Sequence, residues 1–304
     1  MKENNYPKVS IIILNWNNYK DTKECLESIE KIIYPNYEVI VVDNGSKDGS
    51  TQKIQKEFPN HIYIYNKANL GFSGGNNEGI KYALEKNSDY ILLLNNDVTV
   101  ESDFLNFLVE KGENNLKVGI LVPKINYYSK PDIIWLAGGY ISKIRGSGFP
   151  VGKGKDENQY NKDRFITFSS GCCLLIKKEV FKKIGLWDAN YFLYGEDTDF
   201  CKRTIDAGFK ILYVANSKIY HKIGITTKKT NPLLPIYYAT RNRLYFSKKL
   251  CGNWFYIFFI YLILTTCLIK FIIWKINQKK ENIYYGKKAV ADFLYKKMGE
   301  FKNF

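Results

Sequence analysis

The chain is poor in the motifs from which several common kinds of site are built. Its 304 residues contain two histidines and six cysteines, and no two cysteines form a Cys-x-x-Cys pair. It has no zinc-finger spacing and no aromatic-plus-basic RNA-binding motif, so nucleic acid is disfavoured as a partner. The polar start of the chain lacks the pattern of a signal peptide. We therefore expect a reducing compartment and buried free thiols.

Motifs for covalent catalysis and for common nucleotide sites are missing as well. The sequence contains no Ser/His/Asp or Cys/His set of the kind that would indicate an enzyme with a protein nucleophile. No glycine is followed by Lys-Ser or Lys-Thr, which excludes a Walker loop, and the Gly-x-Gly-x-x-Gly order of dinucleotide sites is absent. A nucleotide site in this chain must therefore be built differently.

Negative charge is scarce relative to positive charge. The chain has 45 Lys and Arg against 30 Asp and Glu, a formal net charge of +15. This excess favours an anionic partner such as a membrane surface or a phosphorylated substrate. The length and the 45% hydrophobic content suffice for one large core or two subdomains.

Short apolar runs alternate with helical patterns through the first hundred residues. The runs at Val9–Leu14, Tyr37–Val42, Ile62–Tyr65 and Tyr90–Leu94 are typical of buried strands. The segments between these runs have apolar residues at the spacing typical of helices. This alternation predicts an α/β fold with a Rossmann-like, mostly parallel sheet flanked by helices.

A polar loop that contains Asn, Asp or Gly follows each of these strands. Asn15, Asp43, Gly71 and Asp97 each come at or soon after a strand end. Ligands of doubly wound folds bind beyond the carboxyl ends of the strands, so we expect these residues to face one crevice. His221 also closely follows a predicted strand. Asp97 has a second interpretation, because an aspartate in this position can simply cap the next element.

A glycine-rich stretch, Asn69 to Gly79, lies between the third strand and a helix expected at Ile80–Glu85. Its backbone amides could hold an anionic group at the helix N-terminus. Alternatively, its glycines serve only a tight turn and close helix packing.

The second half of the chain begins with a poorly patterned stretch. Residues 140–164 are rich in Gly, Lys and Asn and have almost no periodicity. We interpret them as a mobile surface loop of the kind that often forms a lid.

Three carboxylates stand at the start of a later helix. Glu196, Asp197 and Asp199 fall within four positions, beside Trp187 and Tyr191. Favourable charge with the helix dipole would explain one or two acids. A carboxylate against aromatic rings can instead acquire the raised pKa that a general base needs.

The last sixty residues contain a borderline membrane segment. Residues 254–269 are uncharged, Lys270 interrupts the run, and apolar residues continue to Trp274. A spanning helix needs about 20 apolar residues. The segment is therefore predicted to be membrane-embedded or interfacial, with a buried C-terminal helix as the alternative.

The motifs together resemble those of family 2 glycosyltransferases, in particular the rhamnosyltransferase-like subgroup. The resemblance covers roughly residues 8 to 246 and rests on Val9–Asn17, Val41–Ser46, Asn69–Asn76, Leu92–Asp97 and Gly195–Asp197. It implies a GT-A fold with a nucleotide-sugar-binding half (1–120), an acceptor-binding half (121–246) and a C-terminal hydrophobic, membrane-associated helical region (247–304).

The resemblance also implies roles for individual residues. Asp97 would be the main carboxylate ligand of Mg²⁺ or Mn²⁺, since Asn95 replaces the first acid of the family's Asp-x-Asp motif, and His221 would complete the metal site. Asp197 matches the general base, with Glu196 beside it. The residues implied in nucleotide-sugar binding are Asn15, Asn17, Asp43, Asn69, Gly71, Gly74, Gly75, Asn76, Asn95 and, for the diphosphate, Arg241.

The implied activity is inverting transfer of a sugar from a dTDP- or UDP-sugar to a lipid-linked or polysaccharide acceptor, at the cytoplasmic side of the cell membrane. The glycine-rich stretch favours rhamnose as the sugar. No tryptophan follows an arginine, so the Gln-x-x-Arg-Trp motif of processive synthases is absent. A sugar nucleotidyltransferase and a non-catalytic nucleotide-sugar-binding protein remain as alternatives.

Overall fold

The computed structural model describes residues 6–143, 145–222, 232–262 and 268–302. The strands are β1 Val9–Asn15, β2 Tyr37–Asp43, β3 Ile62–Tyr65, β4 Tyr90–Asn95, β5 Val98–Val100, β6 Val118–Tyr127, β7 Lys130–Leu136, β8 Gly139–Ser142, β9 Ser147–Pro150, β10 Arg164–Ile166, β11 Cys173–Lys177 and β12 Lys210–His221. The α-helices are α1 Tyr19–Ile29, α2 Ser50–Glu57, α3 Gly71–Glu85, α4 Phe104–Glu113, α5 Lys178–Ile184, α6 Glu196–Asp206, α7 Leu234–Cys251, α8 Phe255–Leu262, α9 Leu268–Ile276 and α10 Lys280–Leu294.

A ten-stranded sheet forms the centre of the described part of the chain. Its strand order is β10-β12-β6-β11-β4-β1-β2-β3, with β5 paired to β12 and β7 to β6. The first four strands are parallel to one another, as predicted. Beyond β4 the sheet becomes mixed, because β11 runs antiparallel to both β4 and β6. The parallel and mixed parts meet at the β4–β11 pair.

Helices cover both faces of the parallel part. Ile11 and Ile13 of β1 pack in one core cluster with Leu26 of α1, whereas Ile12 packs on the opposite face with Ile80 of α3. A strand that is buried on both faces needs apolar side chains at every position. This explains the apolar run from Ile11 to Leu14 in β1.

Helix α3 begins at Gly71, so the expectation of a loop up to Ile80 was wrong. Two of its glycines lie directly on the sheet. An added Cβ at Gly75 would overlap Leu14, and one at Gly79 would overlap Ile12. The glycines therefore permit close helix packing, and the helix forms despite their low propensity.

The stretch 140–164 is not the structureless loop that its composition suggested. It contains the β8–β9 hairpin, a 3₁₀ turn at Glu157–Tyr160 and the start of β10. The strands of the hairpin are four residues long and contain Gly and Ser, so they lack the apolar alternation by which a strand is recognised.

The C-terminal helices form a layer of their own, in which α10 packs against α7. The apolar run at 254–274 is divided between α8 and α9, and residues 263–267 lie outside the described residues. Within the described ranges, no helix is both long and apolar enough to cross a bilayer. Strand β6 crosses the predicted boundary between residues 120 and 121, and the three-part division of the chain stays a prediction.

The predicted buried free thiols are present in the core. Cys25, Cys172, Cys173 and Cys201 are buried and free. Cys267 lies outside the described residues.

Candidate active site

Strand pairing brings Asp97 and His221 together. Asp97 stands between the end of β4 and the start of β5. Strand β12 pairs antiparallel with β5, which sets His221 opposite Val98. His221 Nε2 consequently lies 3.2 Å from Asp97 Oδ1. Two residues that are 124 positions apart in sequence thus meet at the carboxyl end of the sheet.

This pair suits a divalent cation. Both side chains are buried, His221 Nδ1 has no hydrogen-bond partner among the described residues, and Asp97 Oδ1 has the 3.2 Å contact with His221 but no hydrogen bond of good geometry there. A buried carboxylate oxygen that lacks a well-formed hydrogen bond is costly unless a ligand completes it. No third His, Cys, Asp or Glu joins the pair in the described ranges. That suits Mg²⁺ or Mn²⁺, which retain waters and take phosphate oxygens of a substrate.

A partly buried lysine, Lys222, which the sequence analysis missed, lies beside the pair. The backbone N–H of Lys222 donates to the Asp97 carbonyl, and its Nζ is 2.9 Å from Asp21 and 2.5 Å from Glu24. Burial alone would lower the pKa of Lys222, but the hydrogen bonds to Glu24 and Asp21 raise it. The sequence signal that could have identified Lys222 was its position directly after His221, a candidate metal ligand.

The second acidic group is anchored next to the end of β4. The N–H of Asn95 donates to the carbonyl of Cys172, just before β11. The preceding Gly171 N–H donates to Asp197 Oδ2 at 3.4 Å. Asp197 Oδ1 accepts from the backbone N–H of Thr198 at 2.6 Å and from its hydroxyl at 3.2 Å. Asp197 is thus connected to the Asn95–Asp97 turn through the backbone of Gly171 and Cys172, which precede β11.

The two neighbouring carboxyls have different surroundings. Burial, together with the nearby Asp197 carboxylate, holds the pKa of Glu196 well above its ordinary range. Burial also raises the pKa of Asp197, but hydrogen bonds from Thr198 and Gly171 favour its ionised form. Glu196 Oε2 is buried with no partner in the described residues. Asp197 is therefore the more readily ionised of the two, and only an ionised carboxylate can accept a proton.

Asp199, the third acid of this cluster, has a structural role. Its carboxylate forms ion pairs with Arg203 at 2.7 Å and Lys249 at 2.9 Å and accepts from the Tyr191 hydroxyl. Asp199 is therefore held in ion pairs within the fold and is not the general base.

The first two polar loops are joined by side-chain hydrogen bonds. Asn15 is fully buried. Its amide nitrogen donates to the hydroxyls of Ser50 and Thr51, and its Oδ1 accepts from the hydroxyl of Thr22. Asn17 accepts from the N–H of Lys47. Asp43 Oδ1 accepts from the N–H of Ser46. Asn15 therefore holds the loop together, while Asn17 and Asp43 each accept a backbone N–H of the second loop, and their predicted nucleotide contacts remain predictions.

Asn44, another residue that the sequence analysis missed, connects the second loop to the glycine-rich stretch. Its amide nitrogen donates to Asn69 Oδ1 and the Gly71 carbonyl, and its Oδ1 accepts from the N–H of Leu70. Asn69 in turn accepts from the Gly71 N–H. The position of Asn44 after Asp43 was the available signal.

The start of α3 contacts the loop before α6 directly. Gly71 has φ +74°, and an added Cβ would overlap the Phe192 carbonyl, which accepts from the Phe72 N–H at 2.6 Å. Gly74 and Asn76 follow in the first two turns, and the Asn76 amide donates to the Phe72 carbonyl. The start of α3 and the loop before α6 thus form one contact.

Arg241 is not available for the diphosphate contact assigned to it. Its side chain is fully buried and donates to the Tyr237 hydroxyl and the Gly299 carbonyl, with the Tyr237 and Tyr238 rings beside its guanidinium. We correct that prediction, because these contacts tie α7 to the C-terminal tail.

The next residue, Asn242, is a positioning residue that the sequence analysis missed. Its Nδ2 lies 2.7–2.8 Å from the carbonyls of Tyr191, Leu193 and Tyr194. That loop contains two residues with positive φ, Phe192 and Tyr194. Asn242 therefore holds in place the strained loop that leads to Glu196 and Asp197.

Comparisons with known proteins identify the family of the chain. The family model described as "Glycosyl transferase family 2" matches residues 10–185. A low-salt glycan biosynthesis hexosyltransferase of Haloferax volcanii is 26% identical over 244 residues, which are 80% of this chain and 76% of that protein. An N-acetylglucosaminyl-diphospho-decaprenol L-rhamnosyltransferase of Mycobacterium tuberculosis is 27% identical over 60% of this chain and 66% of its own length.

A solved structure shows the same fold. The mannosyltransferase of Pyrobaculum calidifontis, in complex with GDP-Man and Mn²⁺, superposes with a TM-score of 0.61 at 12% identity, over 97% of this chain and 89% of that one. The predicted GT-A fold and the rhamnosyltransferase-like resemblance are confirmed. With more than half of its length matched by the family model, the chain belongs to glycosyl transferase family 2 and is a glycosyltransferase.

Proposed function

We propose that the protein moves a sugar from a nucleotide-diphosphate donor to a lipid-linked or polysaccharide acceptor in cell-surface glycan biosynthesis. The transfer is a single displacement that inverts the anomeric carbon. The observation that carries the proposal is the pairing of a buried, incompletely bonded Asp97 with His221, beside the Glu196–Asp197 carboxyls. The donor is a dTDP- or UDP-sugar, and the rhamnosyl activity named for the mycobacterial relative supports rhamnose.

Each half of the site supplies one part of the chemistry. Asp97 and His221 would hold Mg²⁺ or Mn²⁺, which neutralises the leaving diphosphate. The loops at Asn17, Asp43 and Asn69 would contact the nucleotide. Asp197 takes the proton of the acceptor hydroxyl, so no protein nucleophile is needed.

We also propose that the protein acts at the cytoplasmic side of the cell membrane. Support comes from exposed apolar side chains on α8 and α9, including Ile257, Ile260, Ile272 and Ile276. Exposed lysines of the same layer suit anionic lipid head groups.

A transfer assay tests the central proposal. Release of dTDP or UDP is measured with candidate acceptors for the wild type and for Asp97→Ala and Asp197→Asn. Both variants should lose transfer, and Asp132→Asn, at an exposed position, serves as the control. Near wild-type turnover in either site variant would overturn that assignment. Release of pyrophosphate from a nucleoside triphosphate would indicate a nucleotidyltransferase instead.

A further inference from the structure

A cavity of about 520 Å³ opens beside the proposed base. Gly195 and Thr198, which flank Glu196 and Asp197 in sequence, belong to its wall. Thr198 is also the residue that donates two hydrogen bonds to the Asp197 carboxylate. The wall of the cavity therefore includes the residue that is hydrogen-bonded directly to the Asp197 carboxylate.

Most of the wall is apolar and comes from outside the central sheet. Its large apolar side chains are Phe168, Ile236, Leu244, Phe246, Phe271 and Trp274. A cavity for a polysaccharide chain would need many hydrogen-bonding groups, because buried sugar hydroxyls require partners. These side chains suit a hydrocarbon chain instead.

Two cations give the wall an anion-binding character as well. Arg243 of α7 and Lys270 of α9 both line the cavity. The Lys270 side chain is exposed, while Arg243 donates to the Arg145 carbonyl. A ligand with an apolar chain and a phosphate group would match this combination of residues.

Helix α9 separates the cavity from an apolar outer surface. Phe271 and Trp274 line the cavity, whereas Ile269, Ile272 and Ile273 are about half exposed, at 49–50%. Apolar contact is thus available on both sides of this helix. A hydrocarbon chain that leaves the cavity past α9 would therefore stay in apolar surroundings.

We propose that this cavity binds the diphosphate and the first isoprenoid units of a lipid-linked acceptor, whose sugar presents its hydroxyl to Asp197. The proposal rests on the glycosyltransferase function proposed above, and it selects the lipid-linked class over a free polysaccharide. The volume lies within the range of about 300–1,000 Å³ typical of ligand pockets.

The test is calorimetric binding of farnesyl diphosphate and of inorganic diphosphate to the full-length protein. EDTA is present, so that binding of diphosphate through a divalent metal is removed. Farnesyl diphosphate should bind at least about tenfold more tightly, since burial of about two methylene groups is worth that much. Ala239→Trp should remove this preference, because Ala239 is an exposed wall residue whose replacement fills the cavity. Leu294→Trp, exposed on α10 and outside the wall, should retain it.

The same preparations are titrated with dTDP and UDP in Mn²⁺. If a nucleotide binds but farnesyl diphosphate binds no more tightly than diphosphate, the lipid site is disproved and the transferase proposal stands. An undiminished preference in Ala239→Trp would equally disprove the site. If folded wild-type protein binds neither dTDP nor UDP, the proposed function on which the inference rests is contradicted.

Discussion

Two neighbouring carboxyls, Glu196 and Asp197, differ in the hydrogen bonds that they receive. Asp197 accepts from Gly171 and Thr198, which stabilise its anion, whereas Glu196 Oε2 is buried without a partner in the described residues. A carboxyl that is buried without donors retains its proton more strongly. We infer that Asp197 accepts the substrate proton while Glu196 stays protonated.

This difference predicts distinct effects of amide substitution. Asp197→Asn should abolish transfer, whereas Glu196→Gln, which resembles the protonated acid, should retain most of it. Because the base must be ionised and its pKa is raised, kcat/KM should increase with pH through a pKa above the ordinary aspartate value of about 3.9. The measurement is kcat/KM against pH for the wild type and both variants. Equal losses in the two variants would contradict the assignment.

Sequence reasoning identified candidate residues at this scale where a family motif fixed the residue type, and the roles assigned to them stay predictions. Asp97, His221 and Asp197 occupy positions at which the structure places buried or strongly bonded groups. It failed for Arg241 because an arginine in a helical pattern does not reveal whether it faces a crevice or the interior. Asn242 was missed because its role depends on a loop about fifty positions earlier.

At the scale of elements, the contact between α3 and the loop before α6 joins the two halves of the site. Gly71 touches Phe192, and Asn77 of α3 exchanges two hydrogen bonds with the backbone of Trp187. Any shift of this loop would therefore move both the glycine-rich helix start and the helix that carries Asp197.

Substitution of Gly71 tests that coupling. Gly71→Ala adds a Cβ that would overlap Phe192 at a positive φ, so it should destabilise the protein by about 1–3 kcal/mol and raise the KM for the donor. Gly208→Ala is the matched control, since Gly208 also has a positive φ but has no neighbour within 4 Å of an added Cβ. Urea unfolding and donor kinetics are measured for both. The account fails if both variants show the same donor KM as the wild type.

The regular elements were predictable because their apolar periodicity is strong. The expected strands at β1, β2, β3 and β4 agree with the structure to within one residue. The mixed half was not predictable in the same way. The antiparallel insertion of β11 between β4 and β6 depends on long-range pairing, for which the local sequence contains no signal.

At the scale of the whole molecule, apolar surface is concentrated on the C-terminal helices. Ile276 is 74% exposed, and Ile272 is about half exposed. Grouped apolar residues on a basic protein are typical of a membrane-binding surface. The sequence indicated this region through its hydrophobic run, but its division into two helices required the structure.

Vesicle binding tests that proposal. The double variant Ile272→Ser with Ile276→Ser should bind anionic phospholipid vesicles at least about tenfold more weakly, because each apolar side chain contributes roughly 1.5–3 kcal/mol when buried. Leu116→Ser is the control, as Leu116 is 85% exposed in the turn between α4 and β6. Co-sedimentation measures binding at low and high salt, and high salt should weaken it. Equal loss in the double variant and the control would contradict the proposed surface.

The most direct test of the central claim is a thermal-shift titration with dTDP, UDP and GDP, each with and without Mn²⁺, on the wild type and on Asp97→Asn. A ligand that binds only the native state stabilises it by about 2.7 kcal/mol at one hundred times its Kd. We predict a shift with one diphosphate that requires Mn²⁺ and that is lost in Asp97→Asn. An equal shift without metal, or in the variant, would contradict the claim that Asp97 and His221 hold a metal on which donor binding depends.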